Sequence, residues 1–567
     1  MTHRLPLVLV AVAALGMGGL VSWLGTSDAV TLKDALRFIA PRSLELTFIL
    51  LVAGVAANYR GIRDSLPPHR VLPIVMFLAA LVAVSFLPPR THRIYFDEDI
   101  YQNVAQNIVW QGRAQMCNEG FLDGGVFTCE AWEYNKEPNA FPFLLSVVFR
   151  FTGVDEAAAH RLNHWIFALG AMAVYWVAGL SFDKTRAAFG ASLVYILIPQ
   201  NLLWGATVAA EPSAATFGAI GVGAWIYFCR APSWRAALFG ASALAFASQF
   251  RPESGLVLAV AAAATVLIAP SLLRRREAYG GALLVFLLLV PHFAHMWAVR
   301  NENWGSSEAK FSMSYAAGNS KTNTRYYVEG LDFPPYFALA ALLGLFYPGR
   351  RRHVAAALIW FVLLFGIFIP FYAGSYRYGA DVRFAFVSSA PLAILAGAGL
   401  GFASDWLTRR LSRLRWVGLV PYALAVYVFS QFLPLVKAVG SEGWQARADH
   451  EAALAMVQTL PEDAVLLTHN PGMIQVMGHS AAQASLVSYQ PARVDGFFDR
   501  FPGGVYFHYN FWCNVADEVQ NEFCNDVLAT YPTQVLMEES AGFYRYVLYR
   551  LLPNSSPPPF DPPLPLN

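Results

Sequence analysis

The sequence predicts a mainly α-helical polytopic membrane protein that carries a small C-terminal extracytoplasmic α/β domain. Three observations lead there. Of 567 residues, 56% are hydrophobic and only 14% charged, whereas a soluble domain carries about 25% charged residues. The apolar residues gather into about thirteen runs suited to a ~30 Å hydrocarbon core. After about Val439 the composition turns soluble.

The runs lie near 5–24, 43–58, 71–87, 164–181, 187–203, 212–229, 235–249, 253–273, 278–299, 334–348, 353–373, 384–404 and 416–436. The first could be a signal peptide, because Thr2-His3-Arg4 supplies a weakly positive start. A second apolar run follows it, closed by Arg60, Arg63 and Arg70, which favours a retained membrane helix. Residues 1–70 therefore read as additional N-terminal transmembrane helices, and 71–438 as the transmembrane core with a first outer loop at 88–163. Residues 439–552 read as the extracytoplasmic domain, of ordinary domain size, and 553–567 as a Pro-rich tail.

Loop charge sets the orientation. Arg60, Arg63 and Arg70; Lys184 and Arg186; Arg230 and Arg235; Arg274 to Arg276; Arg350 to Arg352; and Arg409, Arg410, Arg413 and Arg415 fall in alternate loops. The positive-inside rule makes these loops cytoplasmic, with the N-terminus inside and the C-terminal region outside. The predicted location is a multi-pass protein of the cell inner (plasma) membrane.

That register places Asp97, Glu98, Glu211, Arg251, Glu253, Arg300, Arg377 and Arg383 on one outer face. Glu211, Glu253 and Arg383 lie at or inside predicted helix ends, where an unpaired charge is costly. Structural ion pairing is the plain reading, since buried charges are usually paired. Mixed acids and bases on one face also suit a site that handles an anion and a proton. The stretch 97–108, DEDIYQNVAQNI, comes just after the run 71–87. Its three carboxylates either cap the first turn of an interfacial helix or mark a reaction or transport site. Ile100, Val104 and Ile108 recur at helical spacing, so 99–111 reads as an amphipathic helix.

Cys117 and Cys129 lie in the first outer loop, and Cys513 and Cys524 in the C-terminal region. An oxidising outer compartment would pair them, and Cys229 is left over in a predicted helix. Neither pair has a nearby His at zinc spacing, so no metal site is predicted there. In the C-terminal region 451–460 reads as helix, and 464–468, 533–537 and 544–549 as strands. The net charge of +2 gives no hint of nucleic acid, and no P-loop or G-x-G-x-x-G is present.

Together these features resemble the membrane-embedded glycosyltransferases that use polyprenyl-phosphate sugars, the GT-C class. The resemblance is in particular to the protein O-mannosyltransferases of glycosyltransferase family 39 and to the aminoarabinose transferase of lipid A. The family's DE-x-x-Y motif reads here Asp97-Glu98-Asp99-Ile100-Tyr101. Its re-entry segment, Y-x-K-P-P, reads Tyr134-Asn135-Lys136-Glu137-Pro138-Asn139, with the second Pro missing. Glu211-Pro212, Arg251-Pro252-Glu253, the stretch 291–301 with Arg300, and Arg377-Tyr378 with Arg383 are similar to further landmarks.

The resemblance implies sugar transfer from a polyprenyl-phosphate donor to an acceptor hydroxyl on the outer face, with inversion. Asp97 would be the general base, a role contributing about 10²–10⁴-fold, with Glu98 positioning it or binding the acceptor. Tyr101, Lys136, Glu211, Arg251, Glu253, Arg300, Arg377 and Arg383 would bind substrate. The Arg side chains suit a phosphate because they contact it through two N–H groups. No cofactor is assigned, although paired carboxylates could hold a divalent cation. The implied partners are the lipid-linked sugar, a glycan, lipid or protein acceptor, and membrane lipids. A lipid-linked sugar flippase or transporter and a non-catalytic envelope assembly protein are the alternatives. A transporter would usually show internal repeats, and the sequence shows none.

Overall fold

The computed structural model describes residues 15–554 apart from 17, 20, 21, 24, 25, 303–308, 378, 412, 516 and 517. Most of the predicted first helix, 5–24, and nearly all of the Pro-rich tail lie outside the described residues. The chain divides into two compact units.

The first unit comprises Met1–Thr91, Lys136–Phe143 and Ala159–Glu442 and is helical. Among the described residues, five helices are long and apolar enough to cross a membrane: Ala29–Ser65, Glu156–Phe182, Glu211–Arg230, Arg276–Ala298 and Ala380–Arg410. A sixth span results if Thr185–Leu197 and Pro199–Gly205, bent by 63°, are counted as one. The bend falls at Pro199, whose ring disfavours helical backbone in the residue before it. Shorter apolar helices, including Leu72–Phe86, Trp234–Ala247 and Pro335–Gly344, occupy other predicted runs. The protein is a multi-pass membrane protein.

Close backbone approach holds three of these helices together. A Cβ on Gly399 would sit 1.9 Å from the Ala340 carbonyl oxygen, and one on Gly397 would sit 2.3 Å from the Ala191 nitrogen. Small residues of this kind let membrane helices pack where no hydrophobic gain separates them from lipid.

The second unit comprises His92–Asn135, Leu144–Ala158 and Gly443–Asn567. Its centre is a seven-stranded sheet of β1 (Gln115–Asp123), β2 (Val126–Tyr134), β3 (Val465–Thr468), β4 (Ser480–Gln483), β5 (Val505–Tyr509), β6 (Thr533–Ala541) and β7 (Tyr544–Leu551). The order is β2-β1-β4-β3-β5-β7-β6, parallel only where β3 meets β4 and β5. Asp123 pairs with Val126, so β1 and β2 turn through Gly124-Gly125 alone. Both glycines have positive φ, 56° and 81°, the conformation a tight hairpin needs and side chains resist.

Both faces of the central strands β3 and β5 are covered, as strands buried on two sides require. Val465 and Leu467 of β3 pack with Phe121, Val494 and Phe497, while Leu466 packs with Ala453, Met456 and Tyr546 on the other face. Cys117 is bonded to Cys129 across the hairpin, and Cys513 to Cys524 within the first of these cores. Cys229 is free and buried.

Candidate active site

In the second unit the helix Asp97–Gln111 starts at the DE-x-x-Y motif. No side chain caps Phe96, so the acids of the first turn, Asp97, Glu98 and Asp99, complement the exposed amides and the helix dipole. Gly112 ends the helix in the left-handed region at φ 66°, returning its N–H to Asn107 and Ile108 carbonyls. Asp97 is half-buried, while Glu98, Asp99 and Tyr101 are buried. Asp97 and Tyr101, four residues apart, share one helix face.

The helix buries polar as well as apolar faces, unlike a helix lying in a membrane interface. Asn103 Nδ2 donates to Gln475 Oε1 at 2.9 Å, and Asn103 Oδ1 accepts from the Cys117 amide at 2.9 Å. Gln106 Nε2 donates to the Gln475 carbonyl at 3.0 Å. These bonds fix the helix against β1 and the segment Pro471–Val476.

Beside the motif stands a buried cluster that the sequence did not disclose. The rings of His92 and His450 lie 4.1 Å apart, tilted by 31°. His92 Nδ1 is 3.0 Å from Glu98 Oε2, and His450 Nδ1 is 3.3 Å from Asp99 Oδ1. Both Nε2 atoms turn to Glu156 Oε1, that of His450 at 3.4 Å and that of His92 in a closer contact. Burial pulls the His450 imidazole down and His92 adds to that, yet Asp99 and Glu156 hold it up at about 9. Burial likewise opposes the charge on His92, which Glu98 and then Glu156 raise well above the ordinary imidazole value.

Next in the chain, burial pushes the Asp449 carboxyl up to about 7, against the amide of Phe511, which donates to it. His508, 3.4 Å from Asp449, is driven down to about 3 by burial. His92 precedes the motif by five positions, but His450 and Glu156 are distant in sequence, and no spacing rule joins them. His469 lies near Cys513 and Cys524, whose sulfurs are bonded to each other.

The first unit gathers four other predicted residues. Arg251 Nη1 is 2.6 Å from Glu211 Oε1, and Arg251 Nε is 2.5 Å from Glu253 Oε1. Arg383 Nε lies 2.8 Å from the same Glu211 oxygen. Both guanidinium groups stand over the Phe384 ring, at 5.1 and 5.2 Å. Glu211 opens the helix Glu211–Arg230 with Pro212 in its first turn, a position that needs no N–H. Its side chain is fully buried, and Oε2 has no hydrogen-bond partner.

The other cations of the first unit predicted to bind substrate stand elsewhere. Arg300 is exposed, donates to the Trp297 carbonyl at 2.7 Å and covers that residue's ring at 4.2 Å. Arg377 is exposed and paired with Glu329. Lys136 is half-buried, and its backbone is hydrogen-bonded to His295.

Comparison with known proteins follows the same lines. Residues 136–295 match the family model described as dolichyl-phosphate-mannose-protein mannosyltransferase. No curated protein matches. Among solved structures the fold is similar to ArnT from Cupriavidus metallidurans bound to undecaprenyl phosphate. There the TM-score is 0.52 at 14% identity, over 84% of this chain and 97% of that one. The apo state of the same protein gives a TM-score of 0.53 at 15% identity, with the same coverage of both chains. Residues 136–295 thus match a mannosyltransferase family model, and the chain, a multi-pass membrane protein, is similar in fold to ArnT.

Proposed function

We propose that the protein transfers a hexosyl or pentosyl residue from a polyprenyl-phosphate donor to an acceptor hydroxyl, on the extracytoplasmic side of the inner membrane. The observation that carries this reading is the match of 136–295 to a family described by its dolichyl-phosphate sugar. The similar ArnT is described as bound to undecaprenyl phosphate. In this reading thirteen spans place the N-terminus inside and residues 439–552 outside, as the Arg-rich alternate loops require.

The reaction is one displacement. The acceptor oxygen forms a bond to the sugar C1 while the C1–phosphate bond breaks, inverting the anomeric centre. The lipid phosphate leaves with the bonding electron pair, and the acceptor proton passes to Asp97. Half-burial of Asp97 suits a base that must meet a hydroxyl. Glu98 and Tyr101 position it. Arg251 and Arg383, with Glu211 and Glu253 holding their planes, bind the phosphate and stabilise its growing charge. Lys136, Arg300 and Arg377 contribute weaker contacts to the lipid-linked donor.

The experiment is reconstitution in liposomes with a polyprenyl-phosphate sugar and a hydroxyl acceptor fraction from the cell envelope. Sugar transfer supports the reading. Translocation of the donor without transfer, or neither, overturns it in favour of a flippase or an assembly protein.

A further inference from the structure

The buried group around His92 and His450 has the composition and shape of a cation site. Three ligand atoms, one from each of His92, Asp99 and His450, lie within 4.8 Å of one another, and all three residues are buried. Asp99 Oδ1 and His450 Nδ1 face each other at 3.3 Å as an ion pair, and neither atom has a further hydrogen-bond partner. Ligand atoms about 2.0–2.1 Å from a tetrahedral zinc ion stand about 3.3 Å apart. The separation is that of two ligands of one ion.

The ring edges are sorted accordingly. Both Nδ1 edges face the first-turn carboxylates, His92 toward Glu98 and His450 toward Asp99. Both Nε2 edges face one oxygen of Glu156. A carboxylate that accepts the far N–H of a ligating imidazole fixes its tautomer and aims the other nitrogen at the metal. Charge points the same way. Three carboxylates, Glu98, Asp99 and Glu156, face only two imidazoles, and a divalent cation can balance them in place of the two imidazole protons. Imidazole with carboxylate suits zinc and its neighbours in the first transition row.

We propose that His92, Asp99 and His450 bind one divalent transition-metal ion, oriented by Glu156. The ion ties the first turn of the Asp97 helix to the helix Trp444–Val457, which carries His450. Its role is to position the helix that carries Asp97, without touching the reacting atoms. The site does not depend on the sugar-transfer reading, because its test measures metal and not turnover.

Full-length protein purified in detergent without chelator is analysed by elemental mass spectrometry, before and after stripping and return of zinc. About one ion per chain is expected, removable by chelator and taken up again with micromolar or tighter affinity. His450→Gln and Asp99→Asn lose the ion, whereas Glu156→Gln weakens its binding about 10–100-fold. Stripped wild type that takes up no zinc overturns the proposal, as does full metal content in a folded His92→Gln/His450→Gln protein. Should these variants fail to fold, cobalt-loaded wild type decides. Visible bands of a low-symmetry nitrogen and oxygen site support the proposal, and their absence refutes it.

Discussion

The two charged clusters solve different problems with different side chains. The cluster of Glu211, Arg251, Glu253 and Arg383 has two permanent cations matched by two carboxylates, and its geometry rests on planar guanidinium groups. The cluster of His92, Glu98, Asp99, Glu156 and His450 has an excess of carboxylates over imidazoles whose charge depends on what they bind. Arginine keeps its charge at any physiological pH, so the first can hold a constant anion such as a phosphate ester. Histidine exchanges a proton for a metal ion, so the second suits a cation. The chain thus keeps fixed positive charge and exchangeable positive charge in separate compact units.

The strongest way to break this comparison is Asp97→Asn. The amide keeps the size of the side chain and its value at a helix start, but it cannot accept the acceptor's proton. Turnover in the liposome assay should fall at least about 10²-fold, with donor binding kept. Metal content should stay at the wild-type level, because Asp97 is not among the ligands. Near-normal transfer by a folded Asp97→Asn protein would move the base to another residue, with Glu98 the first candidate.

Glu211→Gln probes the arginine cluster. It leaves two largely buried guanidinium groups with one carboxylate where Glu211 itself was fully buried, and breaking such a network costs up to about 3–5 kcal/mol. Thermal unfolding in detergent measures the loss. Arg383→Lys should be milder in stability but should weaken donor binding and turnover together, because a point charge replaces a two-pronged contact. An unchanged donor affinity in Arg383→Lys would reduce the arginine cluster to structural pairing.

How much of this was legible in the sequence differs between the clusters for a physical reason. Which charges meet could not be read. Glu211, Arg251, Glu253 and Arg383 could nonetheless be placed on one face beforehand, among eight charges that helix spans and loop charge put there, with Glu211, Glu253 and Arg383 at helix ends where charges seek partners. The His92 cluster could not, because it is assembled through tertiary packing of the Asp97 segment, Glu156 and the Trp444–Val457 helix. The hairpin of β1 and β2 was equally hidden. β1 alternates imperfectly, with Gly120 beside Glu119, and its partner β4 is SAAQ, a sequence with no strand preference. The strands VLLT and YRYVLYRL, rich in branched and aromatic residues, announced themselves by composition.

Cys513→Ala with Cys524→Ala tests the second unit apart from its charges. The bond closes a short loop inside a buried core, and its removal should cost about 2–4 kcal/mol. Peptide mapping without reductant checks that both bonds form in protein taken from the cell envelope. Free thiols at all four positions would place the second unit in a reducing compartment and contradict the extracytoplasmic position proposed for it.

The smallest effect belongs to Arg377, which the donor-binding role and simple surface pairing treat differently. The side chain is about a third exposed, with a carboxylate partner, Glu329, that is exposed nearly as much. Such pairs contribute about 0–1 kcal/mol to stability, so Arg377→Gln and Glu329→Gln should leave thermal unfolding almost unchanged. Donor binding separates the two roles. If Arg377 contacts the lipid phosphate, Arg377→Gln weakens donor binding a few-fold, and Glu329→Gln leaves it equal or tighter because a competing carboxylate has gone. That asymmetry is the expected result, and it should be smaller than the loss in Arg383→Lys. Equal and negligible effects from both substitutions would confine phosphate binding to the Glu211 cluster, and would sharpen the contrast between a built charge site and a surface ion pair.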